Sequence, residues 1–482
     1  MSEKKKKSRI VRAVKSDPTK PAAFELVKDE PKAVESDPKN NGQFDAKAVA
    51  ERLDVRWLNG SKKYFRPTPG GKDWVSVGEQ DIKRTLRLAG VFSRAAEGQS
   101  CSQADRVMDH VQNFCSVDFA GRLAGYKAGV HLVQDRPIVV LGSYTLIEPV
   151  EGDWPVLRAL LEGMLKTPDF DQLPYFFAWL KVAISALRDG ERRGGHALIF
   201  VGAHNCGKSF VQEHVITKLL GNRSADPTAY MLNKTTFNAE LLGSEHLMIS
   251  ELPSGLDRES RAFLGEQLKK IVATEGHSYH PKGLDAVTMY PFWRVSISVN
   301  KNPERIKALP PINSDIADKL MLFLVESKPM PMPARSDAER RAFRMKIYSE
   351  LPAFVHFLLS WTIPAELLGN EHADRFGCSA FQHPQIIADL FEQEPESGLL
   401  YMIDNELFDN VKDKDAWGWR PAMELHEHLA GETCRFASQA KKLFSFPGAC
   451  GSYLAKLREK YPDRIQSRHT KTGNVWLILP PG

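Results

Sequence analysis

Apolar residues follow different periods in successive parts of the 482-residue chain. Residues 1–42 show no apolar period and are rich in Lys, Asp, Glu, Pro and Asn, so we predict a disordered arm. Short apolar runs separated by turn residues predict a small α+β domain over residues 43–150. A helical period follows over residues 154–190 and predicts a helical collar that leads into a fully apolar strand.

The chain from residue 151 onwards also divides into segments with different apolar periods. Apolar runs of strand length alternate with helical patterns, so we predict that residues 151–330 combine the collar with an α/β core. The Pro-Met-Pro-Met-Pro run at 329–333 marks a boundary, and residues 331–417 read as a helical linker region. Residues 418–482 read as three short helices and a hairpin, an arrangement that resembles a winged helix.

The loop from Gly202 to Ser209 carries the clearest chemistry in the chain. It reads Gly202-Ala203-His204-Asn205-Cys206-Gly207-Lys208-Ser209, and it lies between an apolar strand and a helical pattern. This is the Gly-x-x-x-x-Gly-Lys-Ser pattern of a phosphate-binding loop, in which Lys208 reaches the β and γ phosphates of ATP and Ser209 holds Mg²⁺. A glycine-rich turn between strand and helix with no ligand is the alternative interpretation.

Two polar residues at predicted strand ends complete the site. Glu251 follows the apolar run 247–249, and Asn300 ends the run 294–300. A carboxylate at this position orients the attacking water and helps to hold Mg²⁺, while an amide there bonds to the γ phosphate or to water. Ligands collect at the carboxyl edge of parallel sheets, so we expect both residues to lie beside the loop.

The order of these motifs resembles the superfamily 3 helicases, which are compact AAA+ motors, over roughly residues 150–325. The resemblance is strongest to the helicase part of phage and phage-satellite primase-helicases. It implies a ring, usually a hexamer, with ATP between subunits and a β-hairpin from each subunit in the pore. His280 and Lys282 then fall where the hairpin contacts DNA. An exposed basic turn with no role remains the alternative for these two residues.

The chain departs from the superfamily pattern at two positions. Where relatives usually present two acids, this chain has Ser250 before Glu251, which implies weaker metal binding. The position of the arginine finger, which completes the site of a neighbouring subunit, is Lys319. Lysine lacks the planar guanidinium fork, so a slower ATPase is expected, and Arg305 is an alternative finger.

The C-terminal region carries a basic hairpin turn that includes Arg468 and Lys471. If the winged-helix interpretation holds, this wing contacts DNA phosphates, and the third helix enters a major groove. The basic residues of that helix are Lys456, Arg458 and Lys460. Winged helices also serve as protein-docking modules, and the sequence leaves both roles open.

Charge and composition add limits to the picture. The net charge of +5 is uneven, with +6 in residues 1–20, +5 in residues 418–482 and −6 in the remainder, so the two ends favour contact with nucleic acid. The six cysteines show no paired spacing, which argues against a zinc site or a disulfide framework and fits a reducing compartment. We found no transmembrane or signal pattern, so we expect a cytoplasmic protein without a membrane partner.

These observations predict an ATP-dependent DNA helicase of replication-initiator type from a phage-like or mobile element, which acts with other replication proteins. The first 150 residues show no convincing primase active site. The main alternative is an ATP-gated protein that assembles on DNA without unwinding it, which the residues Ser250 and Lys319 favour. A packaging or defence NTPase is a third interpretation.

Overall fold

The computed structural model describes residues 44–279, 287–312, 314–368, 375–393, 395–408, 417–471 and 473–481. The N-terminal part is a small α+β unit. Its helices are α1 (Ala46–Leu53), α2 (Glu79–Leu88) and α3 (Gln103–Phe114). Its strands are β1 (Arg56–Leu58), β2 (Lys63–Pro67), β3 (Trp74–Val77), β4 (Ser116–Val117), β5 (Phe119–Gly121), β6 (Gly129–Val133) and β7 (Arg136–Val140).

These strands form two sheets, in the orders β3-β2-β1-β4 and β5-β7-β6. The start of α3 is fixed by a capping box, in which the Ser102 hydroxyl accepts from the Asp105 amide at 3.1 Å. A helical pattern over residues 79–88 of the sequence coincides with α2, and a short apolar run at 74–77 coincides with β3.

Two apolar helices and a strand-rich core follow. The helices of the predicted collar are α4 (Pro155–Leu165) and α5 (Leu173–Asp189), and α5 ends at Gly190, whose φ of 68° is left-handed. The next strands are β8 (Ala197–Gly202), β9 (Ser224–Ala225), β10 (His246–Ile249), β11 (His277–Tyr279), β12 (Val287–Met289), β13 (Arg294–Asn300) and β14 (Leu320–Val325). The helices between them are α6 (Lys208–Val211), α7 (Thr217–Leu219), α8 (Thr228–Met231), α9 (Ala239–Leu242), α10 (Arg258–Ala273), α11 (Pro303–Ile306) and α12 (Ser314–Ala317), and a π-helical turn (Gln212–Ile216) joins α6 to α7.

Five of these strands form a parallel sheet in the order β14-β8-β13-β10-β9. Every residue of β8, β13 and β14 is buried. Burial on both faces explains the continuous apolar runs of β8 and β14, whereas polar and apolar residues alternate along β13. β11 and β12 pair as an antiparallel hairpin, as predicted, and residues 280–286 between them lie outside the described residues. The mixed α/β architecture with a parallel sheet agrees with the predicted fold class.

The helix α13 (Asp337–Ser360) packs back on α4 and α5. Its Phe354 ring lies 4.7 Å from that of Trp154, just before α4, and the carboxylate of the buried Glu350 accepts from the Leu157 amide at 2.8 Å. That bond caps the N-terminus of α4 and favours a negative charge there. The hydrophobic core is continuous across the predicted boundary between residues 330 and 331. The sequence pattern did not indicate that α13 packs on the earlier helices.

The C-terminal region begins with α14 (Pro384–Gln393) and α15 (Pro395–Leu407). It continues with β15 (Trp417–Pro421), α16 (Ala422–Ala430), α17 (Ala437–Leu443), α18 (Ala449–Lys460), β16 (Ile465–Thr470) and β17 (Gly473–Ile478). The three predicted helices and the hairpin are confirmed, and β15 adds an unpredicted third strand, giving an antiparallel sheet in the order β15-β17-β16. None of the helices in the described ranges has the length and apolar character that crossing a bilayer requires.

Candidate functional site

The loop between β8 and α6 has the backbone of a tight anion cradle. Gly207 has a φ of 93° and Asn205 one of 57°, so two residues of the loop are left-handed. A Cβ on Gly202 would lie 2.4 Å from the Val325 carbonyl oxygen, which leaves room only for glycine at the end of β8. The exposed loop residues Ala203, His204, Asn205 and Ser209 face outward, and α6 begins at Lys208.

The Lys208 ammonium is held by the loop itself. It donates to the carbonyl oxygens of Gly202 at 3.0 Å and Ala203 at 2.6 Å, and its side chain lies next to the thiol of the buried Cys206. It also donates to Asn300 Oδ1 at 3.3 Å. The residue is only 7% exposed, so its charge is placed under the loop before any ligand is present.

Glu251 and Asn300 meet beside this lysine, as the sequence predicted. Asn300 Nδ2 donates to Glu251 Oε1 at 3.4 Å, a long contact, and Arg305 Nη2 lies 3.1 Å from the same carboxylate oxygen. Arg305 also donates to the Leu252 carbonyl at 3.0 Å. The carboxyl ends of β8, β10 and β13 thus bring a lysine, an amide, a carboxylate and a guanidinium into one polar row. Arg305 in this row belongs to the same chain as Glu251.

A cavity of about 700 Å³ opens above this row and has the size of a small-molecule site. One wall is polar and contains the loop residues 204–209 together with Ser250, Glu251 and Asn300. The hydroxyl of Ser209 and the carboxylate of Glu251 are oxygen donors of the kind that Mg²⁺ prefers, so the donors present fit a magnesium-bound polyphosphate. Among the described residues there is no cluster of three or more His, Cys, Asp or Glu that would hold a metal without such a ligand.

The opposite wall was not predicted from the sequence. Its apolar part is formed by Leu160 of α4, by Met330, which precedes α13, and by Phe343 of α13. Two cations of α13, Arg340 and Arg344, also line it. Phe343 stacks on Phe210 of α6 with the ring centroids 5.0 Å apart, which fixes α13 against the loop helix. An apolar surface beside a phosphate cradle suits a purine base.

A buried polar network supports the loop helix from below. Gln212, in the π-helical turn, donates to Ser296 Oγ at 2.8 Å and accepts from Ser298 Oγ at 2.6 Å. The His246 ring bonds to Ser296 Oγ at 2.7 Å and to Thr217 Oγ1 at 2.6 Å. Burial lowers the pKa of His246 to about 3, so its ring is neutral at physiological pH and joins both hydroxyls. The network ties the loop helix to β10 and β13.

Lys319 does not approach the site of its own chain. Its backbone oxygen accepts from Ala197, at the edge of the sheet opposite the loop. The side chain is 11% exposed, and its ammonium lies 2.7 Å from Asp318 Oδ1. The predicted role of Lys319 as a finger in a neighbouring subunit would require this buried pair to open, which carries a desolvation and pairing cost.

Because of this pair, we expect Lys319→Ala to act inside its own subunit. Any loss of ATP hydrolysis in assemblies mixed from variant and wild-type chains should then be proportional to the variant fraction, because it would come from loss of the Asp318 pair within each variant subunit. The measurement is steady-state ATP turnover against mixing ratio at constant total protein. A fall steeper than proportional would support action across a subunit boundary.

The predicted DNA-contacting residues fall into two groups. His280 and Lys282 lie outside the described residues. Arg468 in β16 and Lys471 in the following turn are exposed.

The chain was compared with known proteins. The model of a family of unknown function, DUF5906, matches residues 200–327, from β8 to just past β14. No curated protein sequence matches the chain. Among solved structures, the A form apo structure of the NrS-1 C-terminal region aligns with a TM-score of 0.51 at 12% identity, over 90% of this chain and 98% of that one. A structure of JCV helicase aligns at 12% identity over 46% of this chain and 61% of that one, with a TM-score of 0.26.

At 12% identity, the alignment with the NrS-1 C-terminal region shows a shared fold and nothing finer. It extends well beyond the core matched by the family model and spans nearly the whole of both chains. The chain is therefore similar in its overall α/β fold to the C-terminal region of NrS-1.

Proposed function

We propose that this chain is an ATP-dependent DNA helicase of the superfamily 3 AAA+ type. The observation that carries the proposal is the convergence of Lys208, Glu251 and Asn300 beside one large cavity that the loop lines. A phosphate cradle next to a strand-end carboxylate and amide is the arrangement that hydrolysis of a nucleoside triphosphate requires.

Each group in the row has a role in that reaction. The loop amides and Lys208 bind the β and γ phosphates of ATP, and binding exchanges the lysine's bonds to loop carbonyls for bonds to phosphate. Ser209 and Glu251 would hold Mg²⁺, which would neutralise charge that develops on the phosphate oxygens. Glu251 orients the attacking water, and Asn300 holds Glu251 and the γ phosphate in register.

The contact between Arg305 and Glu251 has a consequence for this chemistry. The guanidinium lies on Glu251 Oε1, an oxygen that would otherwise be open to the attacking water or to Mg²⁺. Arg305 therefore has to leave Glu251, or turn towards the γ phosphate, before hydrolysis. In this scheme the phosphates of bound ATP supply the negative charge that draws Arg305 away from Glu251.

Coupling to DNA follows the resemblance stated above. The subunits assemble in a ring, a hexamer in the proposal, and the hairpin of β11 and β12 presents His280 and Lys282 to a strand in the pore. The paired strands at 277–279 and 287–289 support the hairpin part of this scheme. The three helices and three-stranded sheet at the C-terminus support a winged-helix domain that binds duplex DNA and directs replication proteins to it.

One alternative is favoured by specific observations. A protein that binds ATP and assembles on DNA, without unwinding it, would tolerate a serine at position 250, a buried Lys319 and a guanidinium on Glu251. All three features reduce the turnover expected of a fast motor.

ATP turnover and strand displacement separate the two functions. We expect the purified full chain to hydrolyse ATP faster when single-stranded or forked DNA is added, and to release the labelled strand of a fork only when ATP and Mg²⁺ are present. ATP-dependent binding to DNA without strand release would support the assembly protein instead.

A further inference from the structure

The third helix of the C-terminal domain, α18, has its basic residues engaged within the chain. Lys460 Nζ lies 2.8 Å from Glu396 Oε1, and Lys456 Nζ lies 3.6 Å from Glu396 Oε2, so one carboxylate of α15 pairs with both lysines. Lys456 and Lys460 are one helical turn apart and lie on the same side of α18. Their contacts with Glu396 show that this side of the helix is turned towards α15. In a domain that reads a major groove with this helix, the face would have to be open to DNA.

The ion pairs on this face are partly buried. The side chains of Glu396 and Lys460 are 14% and 21% exposed, whereas that of Lys456 is 57% exposed. Burial raises the pKa of the Glu396 carboxyl, but the hydrogen bond from Lys460 and the charges of both lysines outweigh it and lower that pKa overall. Nearby, Arg464 binds Asp404 of α15, and Arg458 donates to Ser467 at 2.5 Å. Freeing this face for DNA would leave carboxylates without their partners, at a cost in stability.

The sheet of the same domain shows the opposite situation. From Arg464 to the end of the chain there is no Asp or Glu. The exposed side chains of Arg468 and Lys471 make no hydrogen bond or ion pair with any residue that the structure describes, and the Arg468 guanidinium lies 4.5 Å from the centre of the Trp419 ring. Trp419 belongs to β15, the strand that completes this sheet.

Stacking on Trp419 changes what Arg468 can do. A guanidinium that lies over an aromatic face keeps its N–H groups in the plane, at its edge, where they can donate to a phosphate. The tryptophan also limits the side chain's freedom, so less conformational entropy is lost when a ligand binds. Lys471, at the turn between β16 and β17, adds a second positive charge on the same hairpin.

We propose that the C-terminal domain binds duplex DNA through this sheet, with Arg468 held on Trp419 and Lys471 both contacting backbone phosphates, and that α18 serves as the contact with α15. This inference rests on the proposed DNA-dependent function and revises the part of it that the sequence assigned to the third helix. It also gives Trp419, which carries no charge, a positioning role in DNA binding.

Two double variants of the full chain with the same loss of charge test the proposal. We expect Arg468→Ala/Lys471→Ala to weaken binding to a short labelled duplex by at least about tenfold near physiological salt. The slope of log affinity against log salt should become shallower by about 2, one counterion for each lost phosphate contact. Lys456→Gln/Lys460→Gln should bind the duplex with wild-type affinity and slope, with thermal unfolding checked for both.

A second pair of variants tests the role of Trp419. Trp419→Ala should weaken duplex binding by about two- to fivefold with little change of the salt slope, because Arg468 keeps its charge and loses its support. Trp419→Phe should restore most of the affinity, since it returns an aromatic face. A purely structural tryptophan would lower the unfolding temperature in both variants without this difference in affinity.

Three outcomes would overturn the proposal: weaker binding only in the α18 variant, equal weakening in both double variants, or wild-type affinity in both. The last of these would make the sheet a protein-docking surface.

Strand displacement by the wild-type chain is measured in the same series. If the wild type unwinds forks while the sheet variant binds duplex normally, this inference fails and the proposed function stands. If the wild type neither hydrolyses ATP nor unwinds, the proposed function fails, whatever the duplex measurements give.

Discussion

Lys208→Ala is expected to abolish ATP hydrolysis and strand displacement, with a loss of turnover of at least about 10²-fold. The ammonium is the positive charge nearest the phosphate cradle, and its partners are the Gly202 and Ala203 carbonyls and Asn300, all within the site. Without it, the γ phosphate loses a charge-assisted bond that strengthens as hydrolysis proceeds. Steady-state ATP turnover, with and without forked DNA, measures the effect.

The burial of Lys208 determines how this variant must be controlled. Because the side chain is 7% exposed and bonded to loop carbonyls, the variant leaves polar atoms without a donor, and a modest fall in unfolding temperature is expected. Lys218→Ala is a matched control, since Lys218 follows in the same helical segment and bonds to Asn222 at 2.6 Å, outside the cavity. The control should keep wild-type turnover. A Lys208→Ala protein that is folded and hydrolyses ATP normally would show that the nucleotide site lies elsewhere.

The elements that carry the phosphate loop could be predicted from sequence because their signals are local. β13 was predicted at the bounds 294–300 that the structure gives, because apolar residues at alternate positions are typical of a strand and Asn300 ends the pattern. The loop's glycines and the strand-end positions of Glu251 and Asn300 follow from the parallel topology, which brings strand ends together.

The unpredicted wall of the cavity depends on contacts between distant parts of the chain. Arg340 and Phe343 reach the loop only because α13 packs back across α4 and α5, more than a hundred residues after Ser209. A helical period at 337–360 predicts a helix but not the surface on which it lies. The same limit applies to α18, whose lysines read as a groove-binding face until Glu396 of α15 is seen beside them.

One feature of the sequence indicates the buried polar network beneath the loop helix. Ser296 and Ser298 alternate with valine and isoleucine along β13, so one face of this central strand is polar. Polar side chains on a strand buried on both sides require partners in the core, and Gln212 and His246 supply them. Alternating serines in an otherwise apolar central strand thus point to a buried polar partner, although not to which residue it is.

Glu251→Gln is expected to leave ATP bound and unhydrolysed, with turnover reduced by about 10²- to 10⁴-fold. The amide has nearly the same shape and can still accept from Asn300 and Arg305, so the cavity wall should stay in place. It carries no negative charge, however, and therefore orients and polarises the attacking water far less well than the carboxylate.

Binding and turnover must be measured separately to test this result. A fluorescent ATP analogue should bind the variant with an affinity close to or above that of the wild type, because loss of the carboxylate removes repulsion from the γ phosphate. Glu240→Gln, the same chemical change at an exposed residue of α9 outside the cavity, should hydrolyse ATP like the wild type. A variant that binds poorly would make Glu251 chiefly a magnesium ligand.

The response of Arg305 completes the test. In the wild type, Arg305 lies on the carboxylate, and the proposed reaction requires it to move. Arg305→Gln should therefore change the ATP turnover of the wild-type chain but have little further effect in the Glu251→Gln background, where the ionic partner is already gone. Such non-additivity is the signature of two groups that act on one another. If the effects of the two substitutions on ATP turnover simply multiply, Arg305 acts on the nucleotide independently of Glu251. The contact between the two residues then has no part in controlling hydrolysis.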